Sequence, residues 1–191
     1  MQIDAADEPI GGVLIRYADV TAPTEVQVMK DGAWTTVATA GSYLCEWVPL
    51  QEPAEQVRLV APADQNLRLA LLTVYGVGEK PANVPVWTRL DDCDMLVLVA
   101  HPDDELLWFG GMLPMYAGEL GYKIQLVYCI KPSAQRKLEL LDGLWTCGID
   151  AYPIMLGRAD RKAKNIRELY DHWGREVFYG KVTEAIRNYK P

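Results

Sequence analysis

The sequence contains few residues of the kinds that build metal-rich or disulfide-rich domains, with two histidines and four cysteines among 191 residues. The cysteines form no C-x-x-C pair and no dense framework, which argues against a zinc-finger module or a disulfide scaffold. Cys129 and Cys147 lie in apolar sequence. We therefore predict that these two residues are buried free thiols rather than metal ligands.

Long apolar runs are also missing, and positive charge is not concentrated in the first half of the chain. No run is long enough to cross a bilayer, and the N-terminus lacks the basic and apolar regions of a signal peptide. The net charge is −7, and no cluster of lysine and arginine occurs in the first half of the chain, which argues against nucleic acid as the main partner. The oligomeric state and the compartment stay open.

Residues 1–88 are predicted to form an all-β module. Short segments rich in Val, Ile, Tyr, Trp and Thr alternate with turn residues, and the K-D-G triplet at 30–32 predicts a hairpin. This spacing favours a small β-sandwich or jelly roll. The predicted strands are residues 13–17, 25–29, 34–38, 43–48, 56–60 and 68–75.

Residues 89–191 are predicted to form a second domain, after a linker at 79–90 that contains Pro81 and Pro85. Strand and helix patterns alternate here, which predicts an α/β domain with a mainly parallel, Rossmann-like layered sheet. The predicted strands are 95–100, 124–130 and 152–156, and the predicted helices are 106–120, 133–147 and 177–189.

Three details of this second domain are also predicted. The first helix should break near Gly110, Gly111 and Pro114, because glycine and proline disfavour a helix interior. The last helix should bury one stripe that contains Val182, Ile186 and Tyr189. The basic segment 157–165 is predicted to be a mobile loop, either a solvated surface or a contact for an anionic part of a substrate.

The most informative stretch is residues 95–111, which reads M-L-V-L-V-A-H-P-D-D-E-L-L-W-F-G-G. Its apolar start predicts a strand buried on both faces, followed by a turn that carries His101, Asp103 and Asp104. Those side chains then lie at the carboxyl end of the strand, where open α/β sheets bind ligands. An imidazole and a carboxylate suit zinc, and a second carboxylate suits a general base. The alternative is a proline-containing turn with an aspartate helix cap and a surface histidine.

The V-A-H-P-D-D-E segment followed by G-G resembles the signature of the PIG-L/LmbE-type deacetylases, which hydrolyse the acetamide of N-acetylglucosamine-containing compounds. The resemblance implies that His101 and Asp104 ligate zinc and that Asp103 is the general base. It continues through strand 124–130 and R-K-L-E (136–139), which resembles the family's R-x-x-E helix. Arg136 and Lys131 are candidate substrate contacts, although a solvent-facing helix pair and a plain loop are the alternatives.

The chain departs from the family pattern at the third zinc ligand. The family takes that histidine from sequence beyond a segment that resembles residues 185–191 of this chain, which ends at Pro191. The second histidine, His172, lies before that position and is predicted to be a surface residue. The resemblance therefore implies that residues 89–191 are the N-terminal part of a deacetylase domain whose ligand set is incomplete.

The β-module weakly resembles discoidin-like or galactose-binding-like sandwiches, some of which bind carbohydrate through loop aromatics. Tyr17, Trp34, Tyr43 and Trp47 are the candidate residues, and the alternative is that each is part of the core.

Two functions remain in competition. The leading hypothesis is a hydrolase, dependent on zinc or another divalent ion, that removes the N-acetyl group from an amino sugar or its conjugate. The rival is a carbohydrate-binding protein with an inactive deacetylase-like domain. An appended sandwich slightly favours an exported or cell-surface location, by architectural analogy alone.

Overall fold

The computed structural model describes residues 1–19, 22–78 and 80–191. The chain divides into two compact units, Met1–Val86 and Trp87–Pro191, and each is described by itself. Part of the predicted linker, residue 79, lies outside the described residues. Among the residues that are described, no helix is both long and apolar enough to cross a membrane.

Among the described residues, the first unit contains seven strands: β1 (Gln2–Asp4), β2 (Ile10–Tyr17), β3 (Thr24–Lys30), β4 (Ala33–Ala40), β5 (Cys45–Ala54), β6 (Gln56–Val60) and β7 (Leu69–Gly76). They form two antiparallel sheets, with strand orders β1-β6-β3-β4 and β5-β2-β7. All six predicted strands are present. Strand β1 was not predicted, because three residues are too few to show an alternating pattern.

The predicted hairpin joins β3 to β4. Lys30 pairs with Ala33 across a two-residue loop, and Asp31 and Gly32 have φ values of 51° and 80°. Positive φ at both positions is what the favoured two-residue hairpin turn requires, and aspartate and glycine tolerate it best. The prediction from the K-D-G triplet is therefore confirmed.

The four aromatic residues that were considered as glycan contacts have different surroundings. Tyr17 is buried in the core. The ring of Trp47 lies 5.4 Å from that of Tyr75, edge to face, and Trp34 lies beneath the Arg58 guanidinium at 4.4 Å. Tyr43 is half-buried. Tyr17 is thus a core residue, and the other aromatic side chains pack against their own unit at least in part.

The second unit alternates strands with helices, in agreement with the predicted α/β class. Its elements are β8 (Met95–Val99), α1 (Asp104–Phe109), a π-helical segment (Pro114–Glu119), β9 (Ile124–Ile130), α2 (Ala134–Thr146), β10 (Ile154–Arg158), α3 (Ile166–Trp173) and α4 (Arg175–Tyr189). The three strands form a parallel sheet of order β10-β9-β8.

The central strand of this sheet is β9, in which every residue is buried. β8 was predicted to be buried on both faces, and this was wrong in part, because Leu98 is 40% exposed. Side chains alternate between the two faces of a strand, and Leu98 therefore lies on the opposite face from the buried Val97 and Val99.

The predicted break in the first helix is confirmed. α1 ends at Phe109, and the π-helical segment begins with Pro114 in its first turn. A Cβ on Gly110 would lie 2.4 Å from the Leu106 carbonyl oxygen, so a larger residue there would force the chain to move. Gly121, with φ 71°, follows the segment as expected for a helix stop.

Two predictions near the C-terminus need correction. The third strand lies at Ile154–Arg158, two residues later than predicted, so the loop is shorter than 157–165. On α4, Ala185 and Val182 pack into the core together with Phe178, whereas Ile186 is 48% exposed. The buried stripe passes through Ala185, which packs with Val127 of β9 and Leu156 of β10.

Candidate functional site

The candidate site lies at the carboxyl ends of the parallel strands. The loop between β8 and α1 carries His101 and Asp103, and Asp104 begins α1, with His101 Nδ1 3.6 Å from Asp104 Oδ2. An open cavity of about 440 Å³ adjoins this loop. It is lined by His101, Pro102, Asp103, Ile130, Lys131, Pro132, Ser133, Arg136 and Asp160.

Asp104 is held by the end of β8. Its Oδ2 atom accepts hydrogen bonds from the backbone N–H groups of Ala100, at 3.2 Å, and His101, at 2.8 Å. An aspartate cap on α1 was expected, but no side-chain cap bond forms at Asp103. The Asp104 side chain turns back toward the strand instead, which fixes its orientation beside His101.

Asp103 has an unusual backbone and a cationic neighbour. Its φ is 152°, in a region that L-residues rarely adopt and that tends to occur at functional sites. Arg136 on α2 donates a short hydrogen bond to Asp103 Oδ2. The same guanidinium donates to the Pro102 carbonyl oxygen, from Nη2 at 3.0 Å and from Nε at 3.3 Å. Arg136 therefore ties the loop to α2.

Glu105 is a site residue that the sequence analysis missed. Its side chain is buried, with the residue 1% exposed, and Oε2 accepts the Asp103 N–H at 3.0 Å. Burial raises the pKa of Glu105, and the nearby Asp103 charge raises it further, although backbone N–H donors oppose the shift. A glutamate in the first turn of a helix is normally exposed, so local pattern gave no signal of this burial.

Asp160 is the second residue that was missed. Its Oδ1 atom lies 3.5 Å from His101 Nε2, and the residue lines the cavity. The segment 157–165 was considered for its positive charge, yet the side chain that it directs to His101 is a carboxylate. Nothing in the spacing of the chain indicated this contact, because the two residues lie in different strand-to-helix loops.

The weaker substrate candidates are at the cavity as well. Lys131 follows β9 and lines the cavity together with Arg136. Ser133 also lines it, but its hydroxyl oxygen accepts the Arg136 backbone N–H at 3.3 Å and so caps α2, as predicted. Glu139 accepts a hydrogen bond from Gln135 at 3.2 Å, while the Arg136 side chain bonds the loop. The alternative of a solvent-facing Arg136–Glu139 pair is therefore wrong.

The donor set fits two positions of a zinc site. Zinc ligands lie about 2.0–2.1 Å from the ion, so two of them are expected roughly 3.3 Å apart, close to the 3.6 Å between His101 Nδ1 and Asp104 Oδ2. Asp160 faces the other ring nitrogen, Nε2, and cannot bind the same ion in this arrangement. Within the described ranges, no group of three His, Cys, Asp or Glu residues is suitably placed for a metal.

The remaining residues with metal-binding chemistry lie elsewhere. His172 on α3 is 3.8 Å from Glu168 one turn earlier and is not part of the cavity lining. Cys129 and Cys147 are buried free thiols, as predicted. Burial, assisted by the negative charge of Asp104, raises the pKa of Cys129 to about 11.

Comparisons of this chain with protein-family models, curated proteins and solved structures found no match.

Proposed function

We propose that this protein is a metal-dependent N-deacetylase of the PIG-L/LmbE type, acting on N-acetylglucosamine or a related amino-sugar conjugate. The observation that carries the proposal is that His101 and Asp103 line one cavity at the carboxyl ends of β8 and β9, while Asp104 Oδ2 lies 3.6 Å from His101 Nδ1. A Rossmann-like layering of the second unit belongs to the same proposal, since the parallel sheet and the place of the cavity are what that fold would produce.

In this proposal His101 and Asp104 hold a zinc ion. When bound, the ion would polarise the amide carbonyl and lower the pKa of a water ligand. Asp104 is suited to bind a cation because its carboxylate is already oriented by two backbone N–H groups. His101 is suited because its Nδ1 atom faces that carboxylate.

In this proposal Asp103 is the general base. One of its oxygens, Oδ2, is engaged by Arg136, which leaves Oδ1 to accept a proton from the attacking water and pass it to the leaving amine. Adjacent carboxylates acquire separate roles from their surroundings: Asp104 is held by backbone N–H groups, and Asp103 lines the cavity. Lys131 and Arg136 line the cavity, and in this proposal they donate hydrogen bonds to substrate oxygens.

The test measures acetate release from N-acetylglucosamine compounds by the chain in excess zinc, together with zinc bound at equilibrium dialysis. Asp103→Asn should abolish release and retain zinc, because the base is lost while His101 and Asp104 remain. Asp31→Asn makes the same charge change in the hairpin turn of the first unit, and should leave both measurements unchanged.

Two results would count against the assignments. Undiminished release by Asp103→Asn would show that Asp103 is not the base. Zinc binding that is unaffected by His101→Ala would remove this residue from the ligand set.

The rival proposal is a carbohydrate-binding protein whose second unit is an inactive relative of the deacetylases. The observation that favours it is the Arg136–Asp103 contact, because a carboxylate engaged by a guanidinium is less available to water. Calorimetry with N-acetylglucosamine oligosaccharides separates the two functions. If the rival proposal is correct, Trp34→Ala weakens binding of the oligosaccharides and His101→Ala does not change it. No acetate is then released.

A further inference from the structure

The conformation of Asp103 must be stabilised by its surroundings. With φ 152° and ψ −25°, Asp103 occupies a backbone region that costs free energy for a residue with a side chain. Such a conformation persists only where neighbouring contacts determine it. The position of the Asp103 carboxylate at the cavity therefore depends on the groups that hold its main chain.

The carbonyl side of Asp103 is held by α1. Its oxygen accepts the N–H groups of Leu106 at 3.0 Å and Leu107 at 2.9 Å, which form the first turn of the helix. The amide side is held differently. The Asp103 N–H donates a bifurcated hydrogen bond, to Glu105 Oε2 at 3.0 Å and to the His101 carbonyl oxygen at 3.1 Å. The side chain that accepts a hydrogen bond from that N–H is thus Glu105.

Glu105 is itself enclosed. It is 1% exposed, and it lies close enough to the buried Tyr128 hydroxyl on β9 that its charge contributes to raising the pKa of Tyr128, after burial. Burying a carboxyl group is costly unless its hydrogen bonds compensate. A glutamate in the first turn can stabilise the N-terminus of a helix while it is exposed to solvent. Stabilisation of α1 therefore does not explain why Glu105 is buried.

We propose that Glu105 is a positioning residue for Asp103: its buried side-chain oxygen holds the Asp103 amide, keeps the backbone at positive φ, and so directs the Asp103 carboxylate into the cavity. The catalytic half of this inference rests on the proposed deacetylase function. The conformational half does not, and it is measurable on the chain without metal or substrate.

The conformational test uses ¹⁵N-labelled full chain and two variants. Glu105→Leu removes the acceptor, and Glu105→Gln keeps an oxygen in the same place without the charge. In Glu105→Leu the Asp103 amide should exchange with solvent at least roughly tenfold faster, and its HN–Hα coupling should change as φ relaxes. Glu105→Gln should behave like the wild type in both measurements.

Controls separate this effect from a general loss of structure. Glu139→Leu makes the same substitution at an exposed position of α2 and should leave the Asp103 amide unchanged. Amides of β9 should keep their protection in every variant. If Glu105→Leu does not fold, the Gln variant still decides: an Asp103 amide that loses protection when an oxygen acceptor is retained would overturn the proposal.

The kinetic test applies once acetate release has been detected. Glu105→Leu should lower kcat by about 10-fold to 100-fold, the loss expected of a misplaced catalytic group, with KM within about twofold and zinc binding retained. Glu105→Gln should have a kcat close to that of the wild type, because the side-chain oxygen at this position, and not its charge, positions Asp103. Equal loss in both variants, or an unchanged Asp103 amide in Glu105→Leu, overturns the inference. Absence of release from the wild type bears on the proposed function alone.

Discussion

The guanidinium of Arg136 joins α2 to the loop that follows β8 by bonding both the Asp103 carboxylate and the Pro102 carbonyl oxygen. One side chain thereby contacts the main chain of one residue and the side chain of the next, and the planar, fixed array of donors in arginine suits both bonds. About half of each side chain in the ion pair is exposed, at 51% for Arg136 and 47% for Asp103. The ion pair therefore contributes mainly to the orientation of Asp103 and little to the free energy of unfolding.

Replacing Arg136 should loosen the loop without unfolding the protein. Arg136→Ala is expected to lower the free energy of unfolding by only about 1 kcal/mol or less, the value of an exposed ion pair. Hydrogen exchange measured by mass spectrometry should nevertheless rise in a peptide covering residues 100–109. Arg136→Lys should show a smaller rise in exchange, because an ammonium group replaces the guanidinium and can keep part of its hydrogen bonding. Arg187→Ala on α4 is the control. Unchanged exchange in Arg136→Ala would contradict the prediction.

Ser133 should contribute to stability as the N-cap of α2. Ser133→Ala removes the oxygen that accepts the Arg136 N–H, and a cap of this type is worth about 1 kcal/mol. Ser133→Asp keeps an acceptor and should cost much less. Urea unfolding of the three proteins measures the difference, and equal midpoints for the wild type and the alanine variant would show that the cap bond contributes nothing.

Gly12 should be intolerant of any side chain because of Trp47. A Cβ at Gly12 would lie 2.1 Å from Cη2 of the Trp47 ring, and overpacking of this kind costs about 1–3 kcal/mol. Gly12→Ala should therefore shift urea unfolding to lower concentration. Gly180→Ala in α4 is the matched control, because nothing lies within 4 Å of the added carbon. It should be neutral or stabilising by up to about 1 kcal/mol.

The Cys129 thiol should make stability fall at alkaline pH. Its pKa is raised to about 11, chiefly by burial, whereas an unfolded thiol has a pKa of about 8.5. The folded state then binds the proton more tightly, so this contribution is complete below about pH 8.5 and is lost as pH rises toward 11. Cys129→Ala should show a shallower decline across that interval in urea unfolding, and parallel profiles would contradict the assignment. At neutral pH the native thiol should react slowly with disulfide reagents.

Short-range patterns accounted for much of the fold. Strand β9 was predicted at 124–130 and is found at Ile124–Ile130, because an apolar run between polar residues reports burial directly. The Asp31-Gly32 hairpin and the Ser133 cap were equally local, since each depends on the chemistry of two or three neighbouring residues. The grouping of His101, Asp103 and Asp104 followed from the same cause, as one turn after one strand carries all three.

The sequence pattern could not predict which side chains from distant parts of the chain contact that turn. Arg136 reaches Asp103 from α2, and Asp160 reaches His101 from the loop after β10. Glu105 is buried although it lies in the first turn of a helix, and Leu98 is exposed although it lies in an apolar strand. Periodicity shows which face of an element is apolar, but contacts between charged groups arise from strand order and helix placement, which only the tertiary structure establishes.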